Sequence, residues 1–126
     1  MINTYDVDPF YLKDMPINAI FVFGGKTTNG VLDNTLRYMD YNKLIQLGQN
    51  TTTKIKISQL WEIAHVVGKK PEARYEHSLT MIKKKGLALL VGGRNAYGSV
   101  LTDSWVLDLV RLSWVSVSYV EKDNII

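Results

Sequence analysis

The chain has 126 residues, of which 46% are hydrophobic and 21% are charged, and its formal net charge is +3. This composition is typical of one folded domain with a soluble surface and argues against disorder. The absence of cysteine excludes disulfides, thiolate zinc sites and cysteine nucleophiles. No secretory signal opens the sequence, and its uncharged apolar runs are too short to cross a bilayer. We therefore expect an intracellular, cytoplasmic protein without membrane contact.

The N-terminal segment, residues 1–16, contains one strand-like stretch at residues 3–9 (NTYDVDP). Fifteen residues separate Asp8 from Gly24, which is too few to hold the remaining strands of a complete repeat. Two interpretations stay open: the stretch is the remnant of a truncated preceding repeat, or its similarity to the later strands is chance.

The first apolar run, residues 20–25 (IFVFGG), is typical of a short strand and ends in Gly24 and Gly25. Paired glycines at a strand end permit a positive φ or a close approach of another backbone. After a loop, residues 34–40 (NTLRYMD) alternate between polar and apolar side chains. This alternation indicates a half-buried strand that ends at Asp40.

The interval between Asp40 and Trp61 is about 15 residues longer than the corresponding interval in the second half of the chain. We assign the excess to an insertion around residues 41–58, which has loop composition at its centre. Residues 55–58 form one further candidate strand within it. No segment of the chain has a convincing helical period.

A lysine run at residues 83–85, followed by Gly86, separates two apolar stretches at residues 79–82 and 87–91. We interpret these stretches as a hairpin with a solvated turn; a contact of the lysines with an anionic partner is the alternative. Nucleic-acid sites combine a basic face with interleaved aromatic residues. This sequence lacks that pattern, so we expect no nucleic-acid partner.

The second half repeats the order of motifs in the first half. An apolar run ends in Gly92 and Gly93, residues 103–108 (DSWVLD) form an alternating strand, and Trp114 follows. Gly92 lies 68 residues after Gly24. Removing the insertion shortens this period to about 53 residues, close to the period of known repeat architectures. Short strands at this spacing predict an all-β repeat protein.

These motifs, together with the linker at residues 71–78 (PEARYEHS), resemble the kelch repeat over residues 17–119. The resemblance implies antiparallel four-stranded propeller blades, about two of them and not a closed ring. Repeat 1 spans residues 17–70, repeat 2 spans residues 71–120, and residues 121–126 form a tail. The motif positions are Gly24, Gly25, Asp40, Trp61, Pro71, His77, Gly92, Gly93, Asp103, Trp105, Asp108 and Trp114.

The resemblance also implies a protein–protein interaction module, because kelch domains generally bind partners through loops on one face. Carried over to matching positions, the candidate partner-binding residues are Lys26, Thr27, Asn29, Arg74, Tyr75, Arg94, Asn95 and Tyr97. For Arg74 and Tyr75 the alternative is that they only tie adjacent blades together. Propellers close with four to eight blades, so a two-blade chain is expected to be a fragment or truncated member of a larger propeller. The alternative function is a structural piece whose blade edges another chain completes, including self-association.

Several arrangements argue against an enzyme. The two histidines, His65 and His77, have nearby glutamates in the sequence, but the kelch linker gives His77 a structural role, so no metal site is expected. Ser78 lies outside any nucleophile motif. Residues 24–27 (GGKT) lack the rest of a phosphate-binding loop. Kelch-type copper oxidases need a cysteine, which this chain lacks. We expect no catalytic residue and no cofactor.

Overall fold

The computed structural model of the protein describes residues 1–3, 19–49, 57–83 and 86–117. Its fold is mostly β, with one α-helix and one short 3-10 helix among the described residues. The elements are β1 (Ile2–Asn3), β2 (Ala19–Lys26), β3 (Leu32–Asp40), α1 (Tyr41–Gln49), a 3-10 helix (Ile57–Leu60), β4 (Glu62–Ile63), β5 (Ser78–Lys83), β6 (Leu87–Val91), β7 (Ser104–Asp108) and β8 (Ser113–Val117).

The strands form two antiparallel sheets of four strands each. The first sheet has the order β1-β2-β3-β4 and the second sheet has the order β5-β6-β7-β8, so every strand pairs with its neighbour in sequence. The strands predicted from both polar–apolar alternations are confirmed as β3 and β7. The predicted hairpin is confirmed as β5 and β6, in which Leu79 lies opposite Leu90.

The insertion differs from the prediction, because residues Tyr41–Gln49 form a helix. Only Leu44 and Leu47 are half-buried in it, three residues apart on one face, and the other seven residues are exposed. Two partly buried positions are too few to produce a recognisable helical period. The backbone N–H of Asn42 donates to the Asp40 carboxylate at 3.0 Å, so the residue that ends β3 also caps this helix.

The other predictions for the insertion fall partly outside the described residues. Residues Ile57–Leu60 form a 3-10 helix rather than the end of the strand predicted at residues 55–58. The preceding residues of that stretch lie outside the described part of the chain. At the N-terminus, Ile2 and Asn3 pair with β2 of the first sheet, and the rest of residues 3–9 is not described. The tail at residues 121–126 is not described either.

The hydrophobic core lies between the two sheets. Phe21 and Phe23 of β2 face the second sheet, which contributes Leu90, Leu107 and Trp114. The ring centroids of Phe23 and Trp114 are 4.8 Å apart. Each of these side chains contributes about 1.5–3 kcal/mol when fully buried, so the core holds the two sheets together as one packed pair. No helix among the described residues is long and apolar enough to span a membrane.

The two motif tryptophans, Trp61 and Trp114, differ in burial. Trp114 lies in β8 and is buried against the first sheet. Trp61 lies just before β4 and is half-buried. The backbone after β4 then returns to the second sheet, where Val67 N–H donates to the carbonyl of Leu112 at 2.9 Å.

Candidate functional site

The linker at residues 71–77 passes between the two double glycines and hydrogen-bonds to both strand ends. The backbone N–H of Gly25 donates to the Arg74 carbonyl at 2.9 Å. On the other side, Tyr75 and Arg94 exchange two backbone hydrogen bonds, of 3.0 and 2.8 Å. These bonds bring the loop after each double glycine next to the linker, at one end of the sheet pair.

Glycine is required at these strand ends because the linker approaches so closely. Gly93 has φ +97°, and a Cβ atom there would lie 2.7 Å from the Tyr75 carbonyl oxygen. Gly24 has φ +66°, and its Cβ would lie 3.0 Å from the Arg74 carbonyl oxygen. Side chains at positive φ are strained in any case. One glycine of each pair, Gly24 or Gly93, therefore leaves the room that the linker occupies.

The Arg74 side chain is fully buried, with 0% exposure, and fixes the linker from inside. Its guanidinium donates to both carboxylate oxygens of Asp103, at 2.7 and 2.8 Å, and to the carbonyl oxygens of Gly92 at 3.0 Å and Glu72 at 3.1 Å. Trp105 Nε1–H donates to Asp103 at 2.8 Å. The hydrogen bonds from Arg74 are the main reason that the pKa of Asp103 lies below its ordinary value.

His77 joins the linker to the first sheet. Its Nε2–H donates to the Phe23 carbonyl at 2.7 Å, and its ring meets the Phe23 ring edge-on, with centroids 5.8 Å apart. Burial lowers the pKa of His77 below its ordinary value. Because Nε2 is the donor, Nδ1 of the neutral ring carries a lone pair, and no described residue hydrogen-bonds to it.

Two further motif residues, Pro71 and Asp108, accept hydrogen bonds that fix the segments next to strands. The Pro71 carbonyl accepts a hydrogen bond from the Asn34 side chain at 3.1 Å, which ties the start of the linker to β3. The Asp108 carboxylate accepts from the backbone N–H groups of Val110 and Arg111, at 2.9 and 3.1 Å. Asp108 therefore fixes the turn between β7 and β8, at the opposite end of the second sheet from Asp103.

Of the candidate partner-binding residues, Arg74 does not reach the surface. Its buried bonds to Asp103 correspond to the alternative role, in which it ties the sheets together. Thr27 and Asn95 shape their loops: Thr27 Oγ1 accepts from Val31 N–H at 3.1 Å, and Asn95 Oδ1 accepts from Tyr97 N–H at 3.0 Å. Asn29 is exposed in the loop after β2.

The candidates Lys26, Tyr75 and Arg94 lie beside one another together with Glu76 of the linker, and Tyr97 lies in the same loop as Arg94. We name these five residues the loop surface: Lys26, Tyr75, Glu76, Arg94 and Tyr97. Lys26 Nζ lies 4.9 Å from the centre of the Tyr75 ring, and Arg94 Nε lies 3.3 Å from the Glu76 carboxylate. Tyr97 is 91% exposed. Glu76 was not predicted as part of the candidate site. Its position next to Tyr75 in the linker could have indicated it.

The histidines lie in different surroundings. His65 is exposed after β4, whereas His77 lies in the joint between the sheets. Within the described part of the chain, no three histidine, aspartate or glutamate side chains are grouped as a metal site requires.

One curated relative matches a stretch of 63 residues at 32% identity: acyl-CoA-binding domain-containing protein 6 from Oryza sativa subsp. japonica. The stretch covers 50% of this chain and 9% of that protein, so the chain spans a small part of the relative's length.

The family model that matches the chain is recombination activating protein 2, over residues 11–109. The kelch-repeat assignment made from the motifs is therefore wrong. The core of the matched family is itself a kelch-like propeller, which accounts for the error. The match covers most of the sequence, and the chain belongs to the recombination activating protein 2 family.

Proposed function

We propose that the chain is a protein-interaction module that binds its partner through the loop surface. The observation that carries this proposal is the convergence of three separate segments: Lys26 from the first loop, Tyr75 from the linker, and Arg94 with Tyr97 from the second loop. Backbone hydrogen bonds hold these segments together. In this proposal the chain is not an enzyme, needs no cofactor and acts inside the cell.

The composition of the loop surface suits protein recognition. Tyrosine and arginine are enriched at the residues that dominate binding energy in interfaces. Tyr97 offers a large ring with a polar tip, and it is almost wholly exposed. The Asn95 side chain also accepts from Ser99 N–H at 3.1 Å, which orders the loop that carries Tyr97. A loop ordered in advance loses less entropy when it binds.

We further propose that each four-stranded sheet is one blade of an incomplete propeller. Three observations support this description: each sheet is an antiparallel meander, the two sheets pack face to face, and the family has a propeller-like core. In a propeller, loops at one end of neighbouring blades form a shared surface. The loop surface has this arrangement, because it draws on both sheets and on the linker between them.

The experiment is site-specific photo-crosslinking in cells of the source organism, followed by affinity measurement with the captured protein. A photoreactive residue at position 97 is expected to capture a defined partner, whereas one at position 111 is not. Arg94→Ala and Tyr97→Ala should then each weaken binding about tenfold or more. Arg111→Ala is the matched control, since Arg111 is exposed in the β7–β8 turn. Equal loss with Arg94→Ala and Arg111→Ala would contradict the proposal.

A second candidate function, a structural piece completed by another chain, is supported by one observation. The second sheet carries exposed valines on the face that points away from the first sheet: Val91, Val115 and Val117. Aliphatic side chains grouped in this way on a surface are typical of an interface.

A further inference from the structure

His77 lies against both double glycines, at the base of the two loops that contribute to the loop surface. A Cβ atom placed on Gly24 would lie 3.2 Å from His77 Cε1, and one placed on Gly93 would lie 2.9 Å from His77 Cβ. The histidine Nε2–H donates to the Phe23 carbonyl at 2.7 Å, and the two rings meet edge-on. The position of this one side chain therefore determines how the linker meets both strand ends.

The linker beside His77 is held in a strained conformation. Glu76 precedes the histidine and has φ +59°, a left-handed backbone conformation that residues other than glycine rarely adopt. Tyr75 exchanges two backbone hydrogen bonds with Arg94, of 3.0 and 2.8 Å. Strain of this kind persists only while the surrounding contacts hold the segment. Moving His77 out of its place would therefore free the linker to relax away from the second loop.

The Nδ1 atom of His77 is shielded from solvent and has no hydrogen-bond partner among the described residues. In the neutral ring this atom carries a lone pair, and leaving it unpaired has a moderate cost. A proton on Nδ1 turns the ring into a charged donor, and a shielded charge without a partner is far more costly. The folded arrangement therefore suits the neutral ring and not the protonated one.

The charged groups that act on this imidazole oppose its protonation. They are the Arg74 guanidinium and the Met1 amino group, both of which are positive. Two carboxylates of the same region have other partners, since Glu76 lies 3.3 Å from Arg94 and Asp103 lies 2.7 Å from Arg74. Strand β2 contributes an aromatic ring to this contact. A protonated imidazole would gain no ion pair from these groups.

We propose that protonation of His77 releases the linker from the two strand ends and opens the loop surface, so that mild acid turns this surface off. The protonated imidazole leaves its place for water, where its charge is solvated and both ring nitrogens can donate. Its departure breaks the hydrogen bond to Phe23 and loosens the linker against the loop that contains Arg94. The effect on partner binding rests on the proposed function, whereas the release of the linker does not.

The first measurement needs no partner and follows amide hydrogen exchange of the full chain at a series of pH values. The reporter amides are those of Gly25, Tyr75 and Arg94, which donate the hydrogen bonds between the linker and the two loops. Amides of residues 88–90 in β6, inside the second sheet, are the reference. The released ring binds one more proton than the docked ring, so protection of the reporters relative to the reference should fall up to about tenfold between about pH 7.5 and 5.5.

A variant pair assigns the effect to one ring. His77→Gln can still donate to the Phe23 carbonyl but does not titrate, so its relative protection should stay constant over this pH range. His65→Gln, at an exposed position, should behave like the wild type. Unchanged relative protection in the wild type, or an equal loss in His77→Gln, would overturn the inference. Imidazole NMR of the wild type decides without any variant: a His77 ring that gains its proton while the reporters keep their protection would also overturn it.

Photo-crosslinking at position 97 separates this inference from the proposed function. Capture of a partner is expected near pH 7.5, and it should fall about tenfold near pH 5.5 in the wild type but persist in the His77→Gln variant. Capture that does not change with pH, although the reporter amides lose protection, would overturn the switch. The absence of capture at both pH values would count against the proposed function and would leave the exchange result as the test of linker release.

Discussion

The buried guanidinium of Arg74 donates two hydrogen bonds to the carboxylate of Asp103, across 29 residues of sequence. Arg74 lies in the linker between the sheets, and Asp103 precedes β7 of the second sheet. The same Arg74 residue accepts a backbone hydrogen bond from Gly25 of the first sheet. One residue thus connects the linker with both sheets, and several consequences of this arrangement are measurable.

Replacing Arg74 should destabilise the fold strongly. Removing one partner of a buried ion pair costs about 3–5 kcal/mol, and we expect the lower end for Arg74→Ala because the Asp103 side chain is partly exposed. Arg74→Lys keeps the charge but cannot form the two-pronged contact, so it should recover only part of the loss. Urea unfolding measures the free energy of unfolding of each variant. A loss below about 1 kcal/mol for Arg74→Ala would contradict the structural role of the pair.

Asp103 should make stability depend on acid pH. Its pKa is lower in the folded chain than its ordinary value of 3.8, so the unfolded chain binds more protons in this range. The resulting stabilisation is complete above the ordinary value and is lost as the pH falls through the folded pKa. Asp103→Asn should therefore be less stable than the wild type at neutral pH, with a smaller further loss below about pH 4. Unfolding curves at a series of pH values measure this difference, and parallel acid losses in both proteins would argue against it.

His77 should produce a second pH dependence, nearer neutrality. Burial lowers its pKa below the ordinary 6.5, so the unfolded chain binds more protons once the pH falls under that value. The charged groups that act on the ring, Arg74 and the Met1 amino group, lower its pKa further. The folded chain should lose stability as the pH falls below about 6.5, until it reaches the folded pKa.

A substitution pair isolates the contribution of His77. Gln at position 77 has an amide N–H that can donate to the Phe23 carbonyl but does not titrate, so His77→Gln should flatten the stability curve below pH 6.5. His65→Gln is the matched control, because His65 is exposed. Thermal melts from about pH 7.5 to 5.5 give the comparison. If His65→Gln flattened the stability curve and His77→Gln did not, His77 would not be the source of the pH dependence.

Two glycines with similar backbone angles should differ in their tolerance of alanine. Gly93 and Gly98 have φ of +97° and +76°, but a Cβ atom would clash with Tyr75 and His77 only at Gly93, since nothing lies within 4 Å at Gly98. Gly98→Ala should cost about 1 kcal/mol from backbone strain alone. Gly93→Ala should cost clearly more, because the linker must shift as well. Urea unfolding of both variants is the measurement, and equal losses would mean that the linker docking is not tight.

The strands were predictable from the sequence because their signals are local. The alternation in residues 34–40 and 103–108 and the double glycines each arise from burial or backbone geometry within a few residues. The helix at Tyr41–Gln49 was not predictable, because its half-buried face consists of Leu44 and Leu47 alone.

The candidate site was predictable only in outline. The motifs indicated which segments contain it, but they could not separate Arg74, which is buried, from Arg94, which is exposed. That difference depends on Asp103, a residue distant in sequence, and on the way the linker lies between two sheets. The family assignment failed for a related reason, since local motifs typical of a propeller do not identify which family with a propeller-like core a chain belongs to.

The central claim, that a partner binds the loop surface, is tested most directly by amide hydrogen exchange of the chain with and without the protein captured at position 97. We predict slower exchange on binding in residues 26–31 and 94–100, the two loops that flank the linker, and unchanged exchange in β8. Slower exchange confined to β8, with both loops unaffected, would contradict the claim and would assign partner binding to the face of the second sheet that points away from the first sheet.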